Sequence, residues 1–281
     1  MVITKLLRFF WMGSLGLVMG ISADAQDVST DPPKKLKSTR KAEKREKVNQ
    51  LAKAEEEGAI VYNKQWVMGG KLYNDGGAVF YEWAKKKTPY LGNFYIVELG
   101  TRKAENQYKI NYDDMGGFGR PYIYAKQNVF LTTKFGFGQQ YIIGGKANKN
   151  GVAVMAVYGG GLSLGLLKPY YIKKTDPLTN QEVTIKWQGD ESRNDTLFLD
   201  QGSISTSAGF FKGFNEVKIK PGLFAKTGLR FDYGRYNELV SAIECGINVE
   251  YYFGEMPMMV HNEPKSFFAN VYVGFEFGRR K

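Results

Sequence analysis

The sequence has few of the residues that bind metals or form cross-links. Among its 281 residues there is one cysteine, Cys245, and one histidine, His261. A single cysteine excludes an intramolecular disulfide and a thiolate-rich metal site, and a single histidine excludes a histidine-based metal cluster. We therefore expect no metal and no cofactor.

Long hydrophobic runs are also scarce. Beyond the N-terminus no segment holds about 20 consecutive apolar residues, so a helical membrane protein is not indicated. At the N-terminus, Lys5 and Arg8 precede or flank an apolar run over residues 9–21, and Ala23-Asp24-Ala25 fits a small-x-small cleavage site. This pattern predicts a signal peptide over residues 1–25, although a cytoplasmic protein with an apolar N-terminal helix is the alternative. Because secreted proteins rarely meet nucleic acid, no nucleic-acid partner is expected.

The chain is rich in aromatic residues and glycine, and its strand-like segments alternate between apolar and polar residues. It contains 19 Phe, 18 Tyr and 33 Gly. In its last strand the odd positions from Phe267 to Phe277 are all apolar, whereas the even positions include Asn270 and Glu276. A period of two indicates a β-strand with two different faces. Such a strand suits a soluble sandwich or a membrane barrel, and the secretory signal favours the barrel.

The alternation recurs along the chain and predicts the fold. We expect an all-β fold, an antiparallel transmembrane β-barrel of about eight strands, or ten if two of the longer stretches each hide a pair. The barrel is predicted to occupy residues 61–281, with a long loop over residues 174–215. The eight stretches lie at about residues 66–73, 78–84, 93–102, 124–143, 152–173, 217–233, 239–253 and 266–278.

The face opposite the apolar one predicts what lines the lumen. Buried charges must pair, and an eight-stranded barrel is just wide enough to be filled by side chains. We interpret the lumen as a network of ion pairs that holds the barrel shut; the alternative is a narrow polar conduit or binding cavity. The predicted lumen charge network is Lys71, Glu82, Glu98, Lys134, Lys226, Arg230, Asp232, Glu244, Glu250 and Glu276.

A strongly basic segment precedes the barrel. Residues 26–60 have a helical composition between Lys34 and Glu57, without Gly or Pro. The formal net charge of the whole chain is +11, and an anionic lipid surface or an acidic protein partner is the expected consequence. The alternative is a solvated periplasmic tail. The predicted docking residues are Lys34, Lys35, Lys37, Arg40, Lys41, Lys44, Arg45 and Lys47.

Motifs for catalysis are weak, so a non-enzymatic role is favoured. His261 lies near Glu263 and Ser266, but this spacing matches no hydrolase signature. Gly159-Gly160-Gly161 lies inside a strand without a following helix, so it is not a phosphate-binding loop.

Several segments carry a family resemblance, namely residues 144–152, 158–161, 166–170 and 229–238. Through them the chain resembles small outer-membrane β-barrels of Gram-negative bacteria, in particular an uncharacterised family with a signal peptide, a basic periplasmic helix and a barrel. The resemblance implies a barrel in the outer membrane with the N-terminal segment in the periplasm, and it supplies no activity. One departure is that Phe277 is followed by four more residues, whereas many outer-membrane strands end the chain on an aromatic residue.

Two functions remain open at this level. The first is a structural or accessory role in an envelope secretion or assembly complex, with outer-membrane lipid and a periplasmic or outer-membrane protein complex as partners. The second is a small-solute channel or a lipid-binding or lipid-modifying barrel. The predicted filled lumen and the basic segment favour the first.

Overall fold

The structure is a computed structural model that describes residues 45–46, 49, 63–110, 121–146, 151–176, 178–189, 193–200, 204–235 and 238–281. The predicted signal peptide lies outside these residues, as does nearly all of the predicted basic segment. Residues 45, 46 and 49 are helical and exposed. Within the described ranges, no helix is both long enough and apolar enough to span a membrane.

Strands dominate the described part of the chain from residue 63 onward, together with the short α-helix α1 (Arg193–Leu199) and a 3-10 helix (Phe214–Glu216). The strands are β1 (Lys64–Tyr73), β2 (Gly76–Lys86), β3 (Leu91–Arg102), β4 (Lys109–Ile110), β5 (Tyr122–Ile123), β6 (Asn128–Gly144), β7 (Ala153–Pro169), β8 (Tyr171–Thr175), β9 (Glu182–Lys186), β10 (Ile204–Ser207), β11 (Lys218–Asp232), β12 (Leu239–Met256) and β13 (Lys265–Arg280).

Eight of these strands form a closed antiparallel barrel in the order β1-β13-β12-β11-β7-β6-β3-β2. The predicted fold and the predicted number of eight strands are confirmed. The first and last strands close the ring, with a register that runs from Gln65 opposite Arg280 to Tyr73 opposite Tyr272. The backbone N–H groups of Asn63 and Lys64 also donate to the carbonyl of Lys281, each at 2.8 Å. Closure leaves the barrel sheet without a free edge.

The alternation along each strand separates a polar interior from an apolar exterior. In β13, Val271 and Phe277 are 61% and 56% exposed, whereas Asn270 and Glu276 on the other face are buried. Tyr, Phe, Leu and Val side chains are exposed in the same way around the whole ring. Soluble monomers rarely expose so large a contiguous apolar surface, whereas a membrane barrel presents one to lipid. The barrel is therefore a transmembrane one.

The two ends of the barrel differ in the length of their connections. The end at which β1 begins and β13 ends has short connections, at residues 87–90, 145–152 and 233–238. The opposite end has the two longest connections, at residues 103–127 and 170–217, together with the turn at residues 74–75 and the connection at residues 257–264. Short turns on the side of the termini and long loops on the other side are typical of outer-membrane barrels. We call the two the terminal end and the loop end.

The loop end carries a small folded cap. Strands β10, β8 and β9 form a three-stranded sheet, and β4 pairs with β5. An apolar cluster of Tyr122, Ile172, Ile185 and Phe198 joins the cap together. The long polar stretch of residues 174–215 thus holds regular structure, including β9, α1 and β10.

One predicted strand boundary is wrong at this end. The fifth stretch was expected to run to about residue 173, but the barrel strand β7 ends at Pro169 and Tyr171 begins β8. The buried positions change phase across Pro169: the buried residues of β7 up to Leu167 are odd-numbered, whereas Ile172 and Lys174 are buried in β8. The apolar character continues through this change, and the prediction therefore missed the point at which the chain leaves the barrel and pairs with residues 182–186.

Candidate functional site

The structure places all ten residues of the predicted lumen network inside the barrel. Each of them is at most 5% exposed. They come from seven of the eight barrel strands, and the inward face of each strand carries them because side chains alternate along it. The ten residues form one central cluster, one cluster near the loop end and one contact near the terminal end.

Arg230 on β11 is the centre of the largest cluster. Its Nη1 and Nη2 atoms donate to the two carboxylate oxygens of Glu82 on β2, at 2.8 Å each. Nη2 also donates to Glu244 Oε2 on β12 at 2.7 Å. The Nε atom lies 2.8 Å from Glu276 Oε2 on β13. One guanidinium therefore neutralises part of three carboxylates that come from three different strands.

Glu244 links this cluster to its neighbours. Lys226 Nζ donates to Glu244 Oε1 at 3.1 Å, and the hydroxyl of Tyr272 donates to the same oxygen at 2.6 Å. The carboxylate thus accepts from Arg230, a lysine and a tyrosine at once. A buried carboxylate needs several such donors to offset the hydration that it loses.

Glu98 and Glu250 form the cluster nearer the loop end. Lys71 and Lys134 donate to the two oxygens of Glu98, at 2.8 Å each. Lys134 also lies 2.7 Å from Glu250, which binds Arg102 as well. The hydroxyl of Tyr73 donates to Glu98 at 2.6 Å.

Asp232 anchors the network near the terminal end. It forms ion pairs with Lys146, at 3.1 Å, and with Arg280. Arg280 Nε in turn donates to Gln65 Oε1 at 2.9 Å, across the seam between β13 and β1. The side chain of Arg280 on the last strand is therefore hydrogen-bonded to the first strand.

Sequence reasoning missed several members of this network. Arg102 and Arg280 lie at strand ends and Lys146 lies in a connection, so the alternation in strand centres did not select them. Asp75, in the first hairpin turn, pairs with Arg102 at 2.6 Å. The carboxylates also accept hydrogen bonds from buried tyrosine hydroxyls. These tyrosines occupy inward-facing positions of their strands, and that position is the signal in the sequence that could have identified them. The hydroxyl donors are Tyr73, Tyr252 and Tyr272.

Aromatic rings fill the space between the charged clusters. Phe94 and Phe224 belong to an apolar cluster within the barrel, and their rings lie over inward-facing glycines of β6. A Cβ atom at Gly138 would stand 2.4 Å from Phe94 Cζ, and one at Gly136 would stand 2.6 Å from Phe224 Cζ. The absent side chains of these two glycines are thus replaced by rings from β3 and β11. The interior is packed rather than open.

One buried lysine of the loop end lacks such compensation. Lys126 is 7% exposed, and its Nζ donates to Gln107 Oε1 at 3.0 Å. Burial, together with the neighbouring charges of Lys103 and Lys168, lowers the pKa of Lys126 to about 8. Its backbone forms a bridge with Met259, so it lies where the loop of residues 103–127 meets the connection between β12 and β13.

The other predicted positions are less informative. Of the eight predicted docking residues only Arg45 is described, and it is exposed; Lys34, Lys35, Lys37, Arg40, Lys41, Lys44 and Lys47 lie outside the described residues. His261 is exposed in the loop before β13, and its ring lies 6.4 Å from that of Tyr124. Among the described residues, no group of three or more His, Cys, Asp or Glu side chains is arranged to hold a metal ion.

Comparison with known proteins adds structural neighbours but no relative in sequence. No protein family model matches the chain, and no curated protein matches it. Neisserial surface protein A is 9% identical with a TM-score of 0.37, over 78% of this chain and 96% of that one. Ail, the attachment invasion locus protein of Yersinia pestis, is 9% identical with a TM-score of 0.34, over 79% and 100%. The N-terminal β-barrel domain of Pseudomonas aeruginosa OprF is 10% identical with a TM-score of 0.32, over 77% and 98%.

The predicted resemblance to small outer-membrane barrels is confirmed as far as the fold, by the closed antiparallel ring of eight strands described above.

Proposed function

We propose that this protein is an outer-membrane barrel that does not conduct solutes and serves as a structural or accessory component of an envelope secretion or assembly complex. The observation that carries the proposal is the packed interior. A channel needs a continuous polar path, whereas here the polar groups bind each other across the lumen.

The contacts across the lumen connect strands on opposite sides of the barrel. Glu82 on β2 binds Arg230 on β11, and Arg102 on β3 binds Glu250 on β12. Neither pair of strands is adjacent in the ring. Opening a path would separate buried charges from their partners, which costs about 3–5 kcal/mol for each broken pair. The charges therefore stabilise a closed interior.

The two ends suit attachment to other components. With the terminal end in the periplasm, the basic segment of residues 26–60 lies there, where its charge is suited to an acidic protein or the anionic surface of the inner leaflet. The folded cap then faces outside the cell. A barrel with a closed lumen, a basic periplasmic segment and an external cap has the features of an anchor that holds other components at the membrane.

The lumen is tested by conductance. Purified full-length protein, reconstituted in planar bilayers, should show no steady single-channel current at 1 M salt, with a general porin in the same bilayers as the positive control. A difference in SDS-gel mobility between unheated and boiled samples of the same preparation (heat-modifiability) shows that the inserted protein is folded. A reproducible ohmic conductance would overturn the proposal and favour the alternative, a small-solute channel.

The accessory role is tested with the basic segment. Tagged full-length protein should co-purify with a periplasmic or outer-membrane protein from envelope extracts, and deletion of residues 27–58 should abolish this while the barrel remains heat-modifiable. Replacement of the eight basic docking residues by Gln is the matched variant with unchanged length. If the truncated barrel folds and keeps every partner, the attachment does not depend on this segment. If no protein co-purifies in a way that depends on the basic segment or on the cap, the accessory role is wrong.

A further inference from the structure

A cleft of about 870 Å³ opens at the loop end of the barrel. It lies between the turn that joins β1 and β2, the first residues after β3, and the connection from β12 into β13. Its size falls within the range of small-molecule sites, about 300–1,000 Å³. It adjoins the ion-pair network, with which it shares Tyr73 and Asp75.

The floor of the cleft carries a buried donor without a partner. Asn270 on β13 is 4% exposed and lines the cleft, and its Nδ2 group makes no hydrogen bond. Its neighbour across the β12–β13 ladder, Asn248, donates instead to Glu250 at 2.7 Å. A buried N–H without an acceptor costs about 1–3 kcal/mol. A ligand that supplies an acceptor at this position removes that cost, so the amide is a ready point of attachment.

The cleft has a closed bottom. The ring of Tyr73 lies beneath the guanidinium of Arg102, 4.0 Å from ring centroid to Cζ, and its hydroxyl donates to Glu98. These groups belong to the ion-pair network, which blocks the way down. A molecule that enters from the loop end therefore stops at Asn270, as expected for a binding site rather than a conduit.

The charges on the walls are nearly balanced. Asp75 is held by Arg102 at 2.6 Å, and Glu105 is held by Lys265 at 2.8 Å. The other charged wall residues, Lys103 and Glu263, have opposite signs. This balance favours a ligand without net charge, because a charged one meets no excess of the opposite sign.

The remaining wall chemistry combines amides with flexible apolar side chains. Asn74 and Asn106 also line the cleft, and so do Met256, Met258 and Met259. An amide donates and accepts at adjacent atoms, so it matches a hydroxyl group, which also does both. Methionine adapts its shape to an irregular apolar surface. A ring that carries hydroxyl groups on its edge and C–H groups on its face is complementary to both kinds of wall.

We propose that this cleft binds a neutral, polyhydroxylated ligand, a short saccharide, which accepts a hydrogen bond from Asn270 at the floor and exchanges hydrogen bonds with Asn74 and Asn106. The proposal goes beyond the anchoring role and does not depend on it. A barrel with a closed lumen would thereby recognise a sugar outside the cell.

The test uses full-length protein in detergent micelles and a panel of neutral oligosaccharides, namely maltotetraose, mannotriose and lacto-N-neotetraose. Saturation-transfer NMR and calorimetry should detect binding of at least one of them. Asn270→Ala should weaken that binding by about tenfold, the loss of one hydrogen bond of about 1.4 kcal/mol. Asn74→Ala should weaken it as well. Asn194→Ala, an exposed asparagine on α1 away from the cleft, is the matched control and should leave it unchanged.

Two further probes separate the outcomes. A chondroitin sulfate disaccharide should bind no more tightly than the neutral sugars, and the tripeptide Gly-Asn-Gly should not compete. The proposal is overturned if no neutral sugar binds at 10 mM, if binding is the same in the Asn270 and Asn194 variants, or if the peptide or the sulfated sugar binds in preference. Heat-modifiability of each variant shows that a loss of binding is not a loss of fold. None of these results bears on the conductance or co-purification tests of the anchoring role.

Discussion

Arg230 and Glu82 form a two-pronged ion pair across the barrel lumen. Both guanidinium–carboxylate contacts measure 2.8 Å, and the residues are separated by 148 positions in the sequence. Their strands, β11 and β2, do not touch in the ring. The pair therefore connects opposite walls of the barrel.

Loss of Arg230 should be costlier than loss of Glu82. Arg230→Met leaves Glu82, Glu244 and Glu276 buried without their shared cation, and it should lower the free energy of unfolding by about 3–5 kcal/mol. Glu82→Gln should cost less, because Arg230 keeps Glu244 and Glu276. Urea titration in micelles, followed by tryptophan fluorescence, measures both. Equal losses would contradict the central position of Arg230.

The cost of an arginine on the outward face of the barrel should depend on its depth in the membrane. Ile247 is 52% exposed and lies near the middle of β12, whereas Leu239 lies on the same face at the terminal end. Ile247→Arg should cost about 2–4 kcal/mol and reduce insertion, whereas Leu239→Arg should cost at most about 1 kcal/mol. Quantitative heat-modifiability in outer-membrane fractions checks this. A larger defect for the Leu239 variant would mean that the membrane boundary is misplaced.

The glycines beneath the rings should tolerate no side chain. At Gly138 a methyl group would meet Phe94 and the carbonyl of Tyr158, at 2.4 and 2.5 Å, whereas at Gly144 on the same strand it would meet nothing within 4 Å. Gly138→Ala should therefore destabilise the barrel by about 1–3 kcal/mol, and Gly144→Ala should be close to neutral. The midpoint of thermal unfolding in micelles measures the difference. Two equally stable variants would show that the interior has room.

The stability of the loop end should rise with pH through the titration of Lys126. Its folded pKa of about 8 lies below its ordinary value of 10.5, so below pH 8 both states carry the proton and the full cost of burying the charge is present. Between about pH 8 and 10.5 the folded state releases the proton first, which removes up to roughly 3 kcal/mol of that cost. Hydrogen exchange of the loop of residues 103–127 should therefore slow relative to Lys126→Met as pH rises.

The Met variant provides the control for that measurement. It lacks the charge at every pH, so it should be more protected than the wild type at pH 7, and the difference should shrink towards pH 10. A constant difference across this range would show that Lys126 does not titrate there.

The sequence predicts the faces of the strands better than it predicts their partners. The alternation alone placed Lys71, Glu98 and Arg230 inward, because a period of two allows only two sides. That Lys71 binds Glu98, and that Arg230 reaches Glu82, depends on shear and closure, which bring distant strands together. No local pattern carries that information.

The cap was missed for a different physical reason. Its strands are only two to five residues long, so they show too few alternations to stand out in a polar segment. They are held by Ile172, Ile185 and Phe198, which are far apart in sequence. The cleft was invisible for the same reason, since Asn74, Asn106 and Asn270 come from three separate connections or strands.

The seam between β1 and β13 also determines when the protein can finish folding. Arg280 and Gln65, which bind across it, are 215 residues apart, and contacts of such long range form slowly. Until the sixteen residues of β13 have paired, the unfinished sheet has two free edges. Exposed edges of this kind invite association between chains. Until β1 and β13 have paired, the sheet is therefore open to association with other chains, and closure of the ring removes that exposure.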